Sequence, residues 1–322
     1  MSTLNAKDAA REAKRLLKAE KEAAKHSAAR NQISKPTNAI FNVLLIIGCV
    51  LTIFPLWIII VSSFTSEVAL KTYGYQLWPV EFSVNAYSYL FRDGSVILTA
   101  YRNTLIATFA GTILSVITVG LYAYALSRPD FRYKKFFTFF SFFTMLFSGG
   151  MVSYYNMCRK VLGLQDTVWA LFLPMAFSAY WVIIMRTFYS SSVPEAIIES
   201  ARIDGSGEWR TLIQIVCPLA IPGFATVALF SAIGIWNDFR VCLLLNDKAQ
   251  YFNLQYTIYQ TMNNIRFLKE NASRMGGVNV ANLPEETFRM AMAVVTVGPI
   301  IMAYPFFQQY FVKGLTVGAV KG

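Results

Sequence analysis

Six long apolar stretches constrain this chain more than any other feature of its sequence. Each holds about 20 or more mostly apolar residues, the length that a helix needs to cross the hydrocarbon core of a bilayer. The stretches are Ile40–Val61, Thr104–Leu126, Phe136–Met157, Val168–Phe188, Pro218–Leu245 and Met290–Phe311. Because backbone groups in lipid must find partners within their own segment, each stretch is predicted to be a helix. The sequence therefore predicts an all-α polytopic membrane protein with six transmembrane helices.

The rest of the composition argues against a catalytic or nucleic-acid-binding chain. Charged residues make up only 15% of the 322 residues, against about 25% in soluble domains. The phosphate-binding motif G-x-x-x-x-G-K-[ST] does not occur, His26 is the single histidine, and the four cysteines have no paired spacing. We therefore expect no metal, no disulfide framework, no bound cofactor, no nucleic-acid partner and no catalytic residue in this chain.

Positive charge fixes the expected orientation in the membrane. The segment 1–39 contains nine Lys or Arg against four acidic side chains, and the loop after the second stretch contains four cations against Asp130 alone. Segments rich in Lys and Arg stay on the cytoplasmic side. Both termini are therefore predicted to be cytoplasmic, in a multi-pass membrane protein. The net charge of +11 then reflects membrane topology, with lipid as the surrounding partner.

Residues 1–39 are predicted to be a separate basic helical tail. The stretch from Ala6 to Arg30 is rich in Ala, Lys and Glu, and Glu12 stands near Arg15 at helical spacing. It is too polar for the apolar region of a signal peptide. The tail is interpreted as a solvated helix or one that lies on the membrane surface.

A polar helix–turn–helix is predicted at residues 192–218, between the fourth and fifth stretches. Ser192 and Glu195 have the spacing of a capping box, and Pro194 suits a first helical turn. Asp204-Gly205 is predicted to end this helix, because glycine accepts the positive φ of a sharp stop.

The two helices of this segment are predicted to be amphipathic. One small or apolar face of the first is formed by Val193, Ala196, Ile197, Ser200 and Ala201, and the more polar side by Glu195, Glu199 and Arg202. Ser206 is predicted to cap the second helix, and Pro218 marks the bend toward the fifth stretch. From these residues alone, a partner-docking loop and a simple hairpin between two spans are equally supported.

Five of these residues carry a resemblance to a known family. Glu195-Ala196, Asp204-Gly205 and Pro218, at this spacing, resemble the EAA loop of ABC-importer permeases. The resemblance implies that residues 192–218 form a cytoplasmic loop that couples the membrane spans to an ATP-hydrolysing subunit. The coupling residues that it implies are Glu195, Ala196, Glu199, Asp204, Gly205 and Pro218. The second alanine of the family motif is Ile197 here, which implies a bulkier partner groove.

Similarity to the maltose-type, or oligosaccharide, permeases extends from about residue 40 to the end. Residues 314–322 look like the tail of that group, and residues 283–287 and 304–314 look like its complex-oligosaccharide branch. The resemblance implies that the tail contacts the ATPase. The tail residues concerned are Gly314, Gly318, Lys321 and Gly322. It also implies a permease domain at 40–322.

The implied assembly has several further subunits. These are a second related permease, two ATP-binding cassette subunits that use ATP and Mg²⁺, and an extracytoplasmic solute-binding protein that delivers an oligosaccharide. Two alternatives remain at this point: a permease of the same family for another solute, such as glycerol phosphate, and a stand-alone secondary transporter. The second would need ion-coupling carboxylates and inverted repeats, neither of which is evident.

Polar residues late in the fifth stretch are candidates for the translocation path. Trp236-Asn237-Asp238 resembles the Trp-Asn-acid sequence of the family, and a charge at bilayer depth costs at least ~2.5 kcal/mol. Such groups should face protein or a water-filled path, although headgroup water would also solvate them near an interface. The connector 246–289 is predicted to hold an amphipathic helix that packs on its own spans or contacts the binding protein.

Overall fold

The computed structural model describes residues 35–92, 94–271 and 285–319. Within these residues it is helical, with one isolated antiparallel bridge between Thr65 and Phe82. Its α-helices are α1 (Lys35–Ser63), α2 (Glu67–Tyr73), α3 (Asn85–Leu90), α4 (Gly94–Ser127), α5 (Lys134–Leu146), α6 (Gly150–Asn156), α7 (Ala179–Ser192), α8 (Glu195–Ile203), α9 (Glu208–Thr211), α10 (Cys217–Leu219), α11 (Ile221–Asn237), α12 (Arg240–Leu245), α13 (Leu254–Glu270) and α14 (Glu286–Ala319). Short π-helical and 3₁₀ turns connect several of them.

Three of the predicted spans are single continuous helices. Pro36–Ser63, Val96–Ser127 and Glu286–Phe306 are each long and apolar enough to cross a membrane. They contain most of the first, second and sixth apolar stretches. Length and apolar composition, read directly from the sequence, were sufficient to predict these helices.

Each of the other three stretches is bent at a break between helices, which corrects the expectation of one helix for each. Lys134–Leu146 meets Gly150–Val161 at 115°, Val168–Met175 meets Ala179–Ser192 at 52°, and Glu208–Leu219 meets Ile221–Asn237 at 80°. At the first break α5 ends at Leu146 and α6 begins at Gly150, whose φ of +77° is one that glycine adopts readily. The structure thus offers up to six spans if each bent pair is one span, and the count of six stays a prediction.

The chain divides into two units, residues 1–58 and 59–322. In the first unit the described part belongs to α1, and its apolar side chains are exposed, as lipid-facing side chains are. Residues 1–34 lie outside the described residues, so the helical tail at 1–39 and its boundary remain predictions.

The main core of the second unit joins helices from distant parts of the chain. Val119 and Ala123 of α4 pack with Val182 and Met185 of α7, and all four are fully buried. The same cluster takes in Val193, Leu212, Val216 and Val227. The polar segment after α7 is therefore anchored on the membrane helices rather than detached from them.

The connector after α12 contains the expected amphipathic helix. Its residue Ile265 is buried together with Phe288 and Met292 of α14, and Ile258 and Met262 pack against this cluster. The apolar face of α13 thus packs on the chain's own helices, which was one of the two alternatives considered.

Side chains of two neighbouring helices form hydrogen bonds with α14 at the point where a proline interrupts its helical hydrogen bonding. Pro299 lies inside this helix and has no N–H to donate to the carbonyl of Val295. The Tyr101 hydroxyl of α4 donates to that carbonyl instead. The Trp236 indole N–H of α11 donates to the adjacent Thr296 carbonyl at 3.1 Å. The acceptor that the proline leaves unsatisfied is thereby paired.

A buried carboxylate holds the beginning of α14 against α2. Glu67 accepts the backbone N–H and the hydroxyl of Thr287 at 3.0 and 2.9 Å, and the N–H of Glu286 at 3.3 Å. Its side chain is 8% exposed and pairs with Lys71 at 3.0 Å. Burial alone would raise the pKa of Glu67, but these hydrogen bonds outweigh it and lower the pKa below the ordinary 4.5.

This lowered pKa predicts a pH-dependent stability. A carboxyl with a depressed folded-state pKa stabilises the fold above its unfolded pKa, and the contribution disappears as pH falls through the folded pKa. We expect Glu67→Gln to destabilise the purified protein by about 1–2 kcal/mol near neutral pH. The difference between wild type and variant should shrink steadily below about pH 4. Thermal unfolding of wild type and variant in detergent, over a range of pH, measures this difference in stability. Glu81→Gln, at a more exposed carboxylate nearby, is the control, and a pH-independent difference for Glu67→Gln would contradict the assignment.

Candidate functional site

Helix α8 begins differently from the sequence prediction. Ser192 is the last residue of α7, and Pro194 caps α8 with its backbone in an extended conformation and without a side-chain hydrogen bond. The Pro194 carbonyl accepts the N–H of Ile197 at 3.1 Å. The predicted capping box between Ser192 and Glu195 is therefore wrong, because the proline occupies the capping position itself rather than the first turn.

The turn that ends α8 is as predicted. Asp204 caps the helix, and Gly205 has a φ of +76°. The N–H of Ser206 reaches back to the carbonyl of Ala201 at 2.9 Å, as in a Schellman motif. Only the next cap differs: Gly207, not Ser206, precedes α9, and the Ser206 hydroxyl lies 3.1 Å from that of Thr211.

The buried and exposed faces of α8 are not those expected from the sequence. Val193 and Ala201 are buried and Ile198 packs on the main core. The remaining small or apolar side chains form what we call the free face of α8: Ala196, Ile197, Ser200 and Ile203. Glu195, Glu199 and Asp204 are also exposed. The predicted apolar face is thus divided between the core and the surface.

Ile203 is the most exposed large apolar side chain of this segment, at 87%. It was missed in the sequence, although its spacing from Ala196 is two helical turns, which places it on the same helical face. Trp209 and Ile213, on the following helical turns, are also exposed, whereas Leu212 and Val216 are buried. An exposed apolar surface on a helix that is fixed to the core on its other side is suited to contact a partner protein.

A polar network ties this segment to the end of α4. Arg202 forms ion pairs with Asp130 at 2.5 Å and with Glu208 at 3.1 Å. Glu208 also accepts the Tyr124 hydroxyl at 2.7 Å and lies 3.6 Å from the buried Arg128. Hydrogen bonding by Asp130, and then by Glu208, raises the pKa of Arg202 above its ordinary value, so this guanidinium stays charged.

A single exposed ion pair contributes little to the free energy of folding, but several ion pairs that share partners fix the relative positions of their side chains. This network connects α8 and α9 with the end of α4 and the loop that follows it, a much earlier part of the chain. No local sequence pattern predicts this network, because its charged residues are far apart along the chain.

Pro218 lies in α10, just before the bend into α11. The bend itself falls at Ala220, whose φ and ψ are −100° and 15°. Pro222 then occupies the first turn of α11, where the missing N–H costs nothing. The segment 192–218 is thus joined to a long apolar helix through a sharp corner, close to the predicted position.

The three candidate path residues have different surroundings. Trp236 is 4% exposed and its indole is held by α14, so it offers no open stacking face in this structure. Asn237 is exposed, and its side-chain oxygen accepts a hydrogen bond from Gln255 at 3.2 Å. Asp238 is buried and accepts the N–H of Val241 at 2.8 Å, close to the start of α12. Only Asn237 keeps the exposure expected of a path-lining group.

The tail residues are described only in part. Gly314 and Gly318 lie on the helical backbone of α14, whereas Lys321 and Gly322 lie outside the described residues. Among the residues that the structure describes, no three His, Cys, Asp or Glu side chains are grouped as metal ligands would be.

Comparison with known proteins identifies the family. Residues 27–317 match the model of a family described as the binding-protein-dependent transport system inner membrane component. The chain belongs to this family. The match confirms the resemblance inferred from the EAA-like segment, and it makes the chain an inner membrane transport component that works with a binding protein.

Two relatives match most of this permease. The polygalacturonan/rhamnogalacturonan transport system permease protein YtcP of Bacillus subtilis (strain 168) is 35% identical, over 88% of this chain and 99% of that protein. Protein LplC of the same organism is 36% identical, over 84% and 90% of the two chains.

A solved structure has the same fold. It is the crystal structure of a bacterial ABC transporter involved in the import of the acidic polysaccharide alginate, one chain of which has a TM-score of 0.72 and 29% identity. The match covers 87% of this permease and 99% of that chain. The predicted all-α permease fold and the role in an ABC importer are thereby confirmed. Dependence on a binding protein also sets aside the stand-alone secondary transporter.

Proposed function

We propose that this permease translocates oligosaccharides across the bacterial plasma membrane by alternating access. In the proposed complex it pairs with a second related permease, two ATP-binding cassette subunits and an extracytoplasmic binding protein. ATP and Mg²⁺ are bound by the cassette subunits, and this chain catalyses no reaction itself. Relatives named for polygalacturonan and rhamnogalacturonan transport and the alginate importer support a carbohydrate substrate.

The free face of α8 is the observation that carries the coupling role. Its apolar side chains are exposed, and the polar network around Arg202 links the same helix to α4. We place the cassette subunit on this face, with Glu195, Glu199 and Asp204 at its rim and Gly205 and Pro218 shaping the segment. Closure of the cassette dimer on ATP would then move α8 and, through the network and the core, the membrane helices.

The proposed orientation places both termini and the segment 192–218 in the cytoplasm. The excess of Lys and Arg in the segment 1–39 and after α4 supports it. The tail residues Gly314, Gly318, Lys321 and Gly322 are proposed to contact the cassette subunits. Asn237 is the proposed path-lining member of the Trp236–Asp238 group.

Uptake by the reconstituted complex tests the substrate class. We expect binding-protein-dependent, ATP-driven uptake of labelled oligosaccharides and none of amino acids, peptides or phosphate esters by the same proteoliposomes. A complex with an inactivated cassette subunit is the control for passive leakage. Uptake confined to glycerol phosphate or another non-carbohydrate solute would overturn the sugar assignment and leave the importer role intact.

A further inference from the structure

A cavity of about 490 Å³ lies between two interrupted helices, a volume within the usual range for a small-molecule site. One helix is broken between Leu146 and Gly150, and the other between Asn237 and Arg240. The cavity is lined in part by Ser148, Met151, Tyr154, Pro174, Asp238 and Arg240. In secondary transporters, solutes are commonly held at discontinuous helices, where backbone groups are released from helical pairing.

Two charged side chains give this cavity its polarity. The buried Asp238 carboxylate accepts the N–H of Val241 and lies 3.5 Å from the Nε atom of Arg240. Both the backbone hydrogen bond and the ion pair fix this carboxylate in place. The Arg240 side chain is 77% exposed, and no hydrogen bond joins its two Nη groups to the described part of the chain. The Nε side of the guanidinium thus faces Asp238, and its Nη groups remain as donors.

We propose that this cavity is a transit site for a sugar unit that carries a carboxylate, such as a uronic acid residue. The inference rests on the proposed function and names a substrate class for it. The Nη groups of Arg240 would donate to the two carboxylate oxygens, a geometry that a guanidinium fits better than an ammonium group. Tyr154 supplies an aromatic side chain, and Ser148 supplies a hydroxyl. Asp238 is a positioning residue that orients Arg240.

The exposure of Arg240 also suits a transport step. A solvated ion pair is weak, and a solute in transit must bind well enough to enter and loosely enough to leave. A lipid-headgroup phosphate offers similar anionic oxygens to the same guanidinium. The two sources differ in one respect: only the sugar carboxylate makes the effect of Arg240 depend on which oligosaccharide is carried.

The test compares two trisaccharides with the same sugar backbone, trigalacturonate and its fully methyl-esterified form, in which each carboxylate is a neutral methyl ester. Uptake is measured in proteoliposomes containing the complete complex, with and without anionic lipid. We expect Arg240→Gln to lower the uptake of trigalacturonate, relative to the ester, by about tenfold, the effect of losing a hydrogen-bonded charge. Arg240→Lys should lower it by only about threefold, because the charge remains and the fork is lost. The double variant with Asp238→Asn should show the same selective loss, which excludes repulsion from an unpaired Asp238.

Arg159→Gln is the matched control, since Arg159 is an exposed arginine of the same region that rests on Tyr155 and does not line the cavity. It should leave the ratio of the two uptakes unchanged. Equal losses for both trisaccharides, or a loss that appears only with anionic lipid, would overturn the inference. If wild type carries the ester but not the acid, the inference fails while the proposed function stands. If it carries neither and takes up only non-carbohydrates, the proposed sugar substrate fails as well.

Discussion

Replacing Gly205 by valine is expected to lower transport and binding-protein-stimulated ATP hydrolysis together by about tenfold, with strain of about 1–3 kcal/mol as the cause. Gly205 has a φ of +76°, which a β-branched residue avoids, and a Cβ atom there would meet nothing within 4 Å. The effect therefore comes from the backbone of the turn and not from a steric clash. The subunit should still insert in the membrane and assemble, because the turn lies outside the buried core.

Gly207→Val provides a matched control for this variant. Gly207 lies on the same turn, is equally open, and has φ and ψ of −72° and 161°, an extended conformation that valine favours. Its stimulated ATP hydrolysis should stay close to that of wild type. Normal stimulated ATP hydrolysis in a reconstituted Gly205→Val complex would contradict the coupling role of the turn.

Ile203→Asp should release the cassette subunits from the membrane subunits. If Ile203 is buried against the cassette subunit, the carboxylate of the variant loses its water without gaining a partner, at a cost of several kcal/mol. Because Ile203 is 87% exposed in the chain itself, the variant should unfold thermally like wild type. Co-purification of the cassette subunits with the tagged permease measures the loss.

The apolar variant Ile203→Val separates lost contact from added charge. It shortens the side chain but keeps the free face of α8 apolar, so the cassette subunits should still co-purify. Undiminished co-purification with Ile203→Asp would show that this face is not the docking surface, while a lowered unfolding temperature would show that Ile203 has a structural role instead.

The parts of this fold that follow from local rules were predictable. The apolar stretches predicted the continuous helices α1, α4 and α14, and Gly205 predicted the stop of α8, because a helix end with positive φ needs glycine. The bends were harder to predict. Gly150 and Pro222 both lie close to a bend. Glycine and proline are also tolerated within continuous membrane helices, so their presence in the sequence does not show where a helix is interrupted.

The missed features of the site depend on contacts between distant residues. Pro194 fits either a first turn or a capping position, and only the folded chain shows that it takes the capping position. Arg128 and Glu208 belong to different helical regions of the sequence, so only the folded chain brings them together. The division of the apolar side of α8 between core and surface likewise follows from where α4 and α7 lie, which helical periodicity alone does not give.

The hydrogen bonds from Tyr101 and Trp236 to α14 restrict bending of this helix at Pro299. A proline inside a helix usually creates a place where the two halves can swing, because one hydrogen bond is missing. Here Tyr101 and Trp236 clamp the carbonyls beside Pro299 from two other helices, so swinging at this point would break both bonds. The segments of α14, α4 and α11 around Pro299 are then expected to move as one unit, and the corner at Ala220, where α11 begins, is the bend that adjoins this unit along the chain.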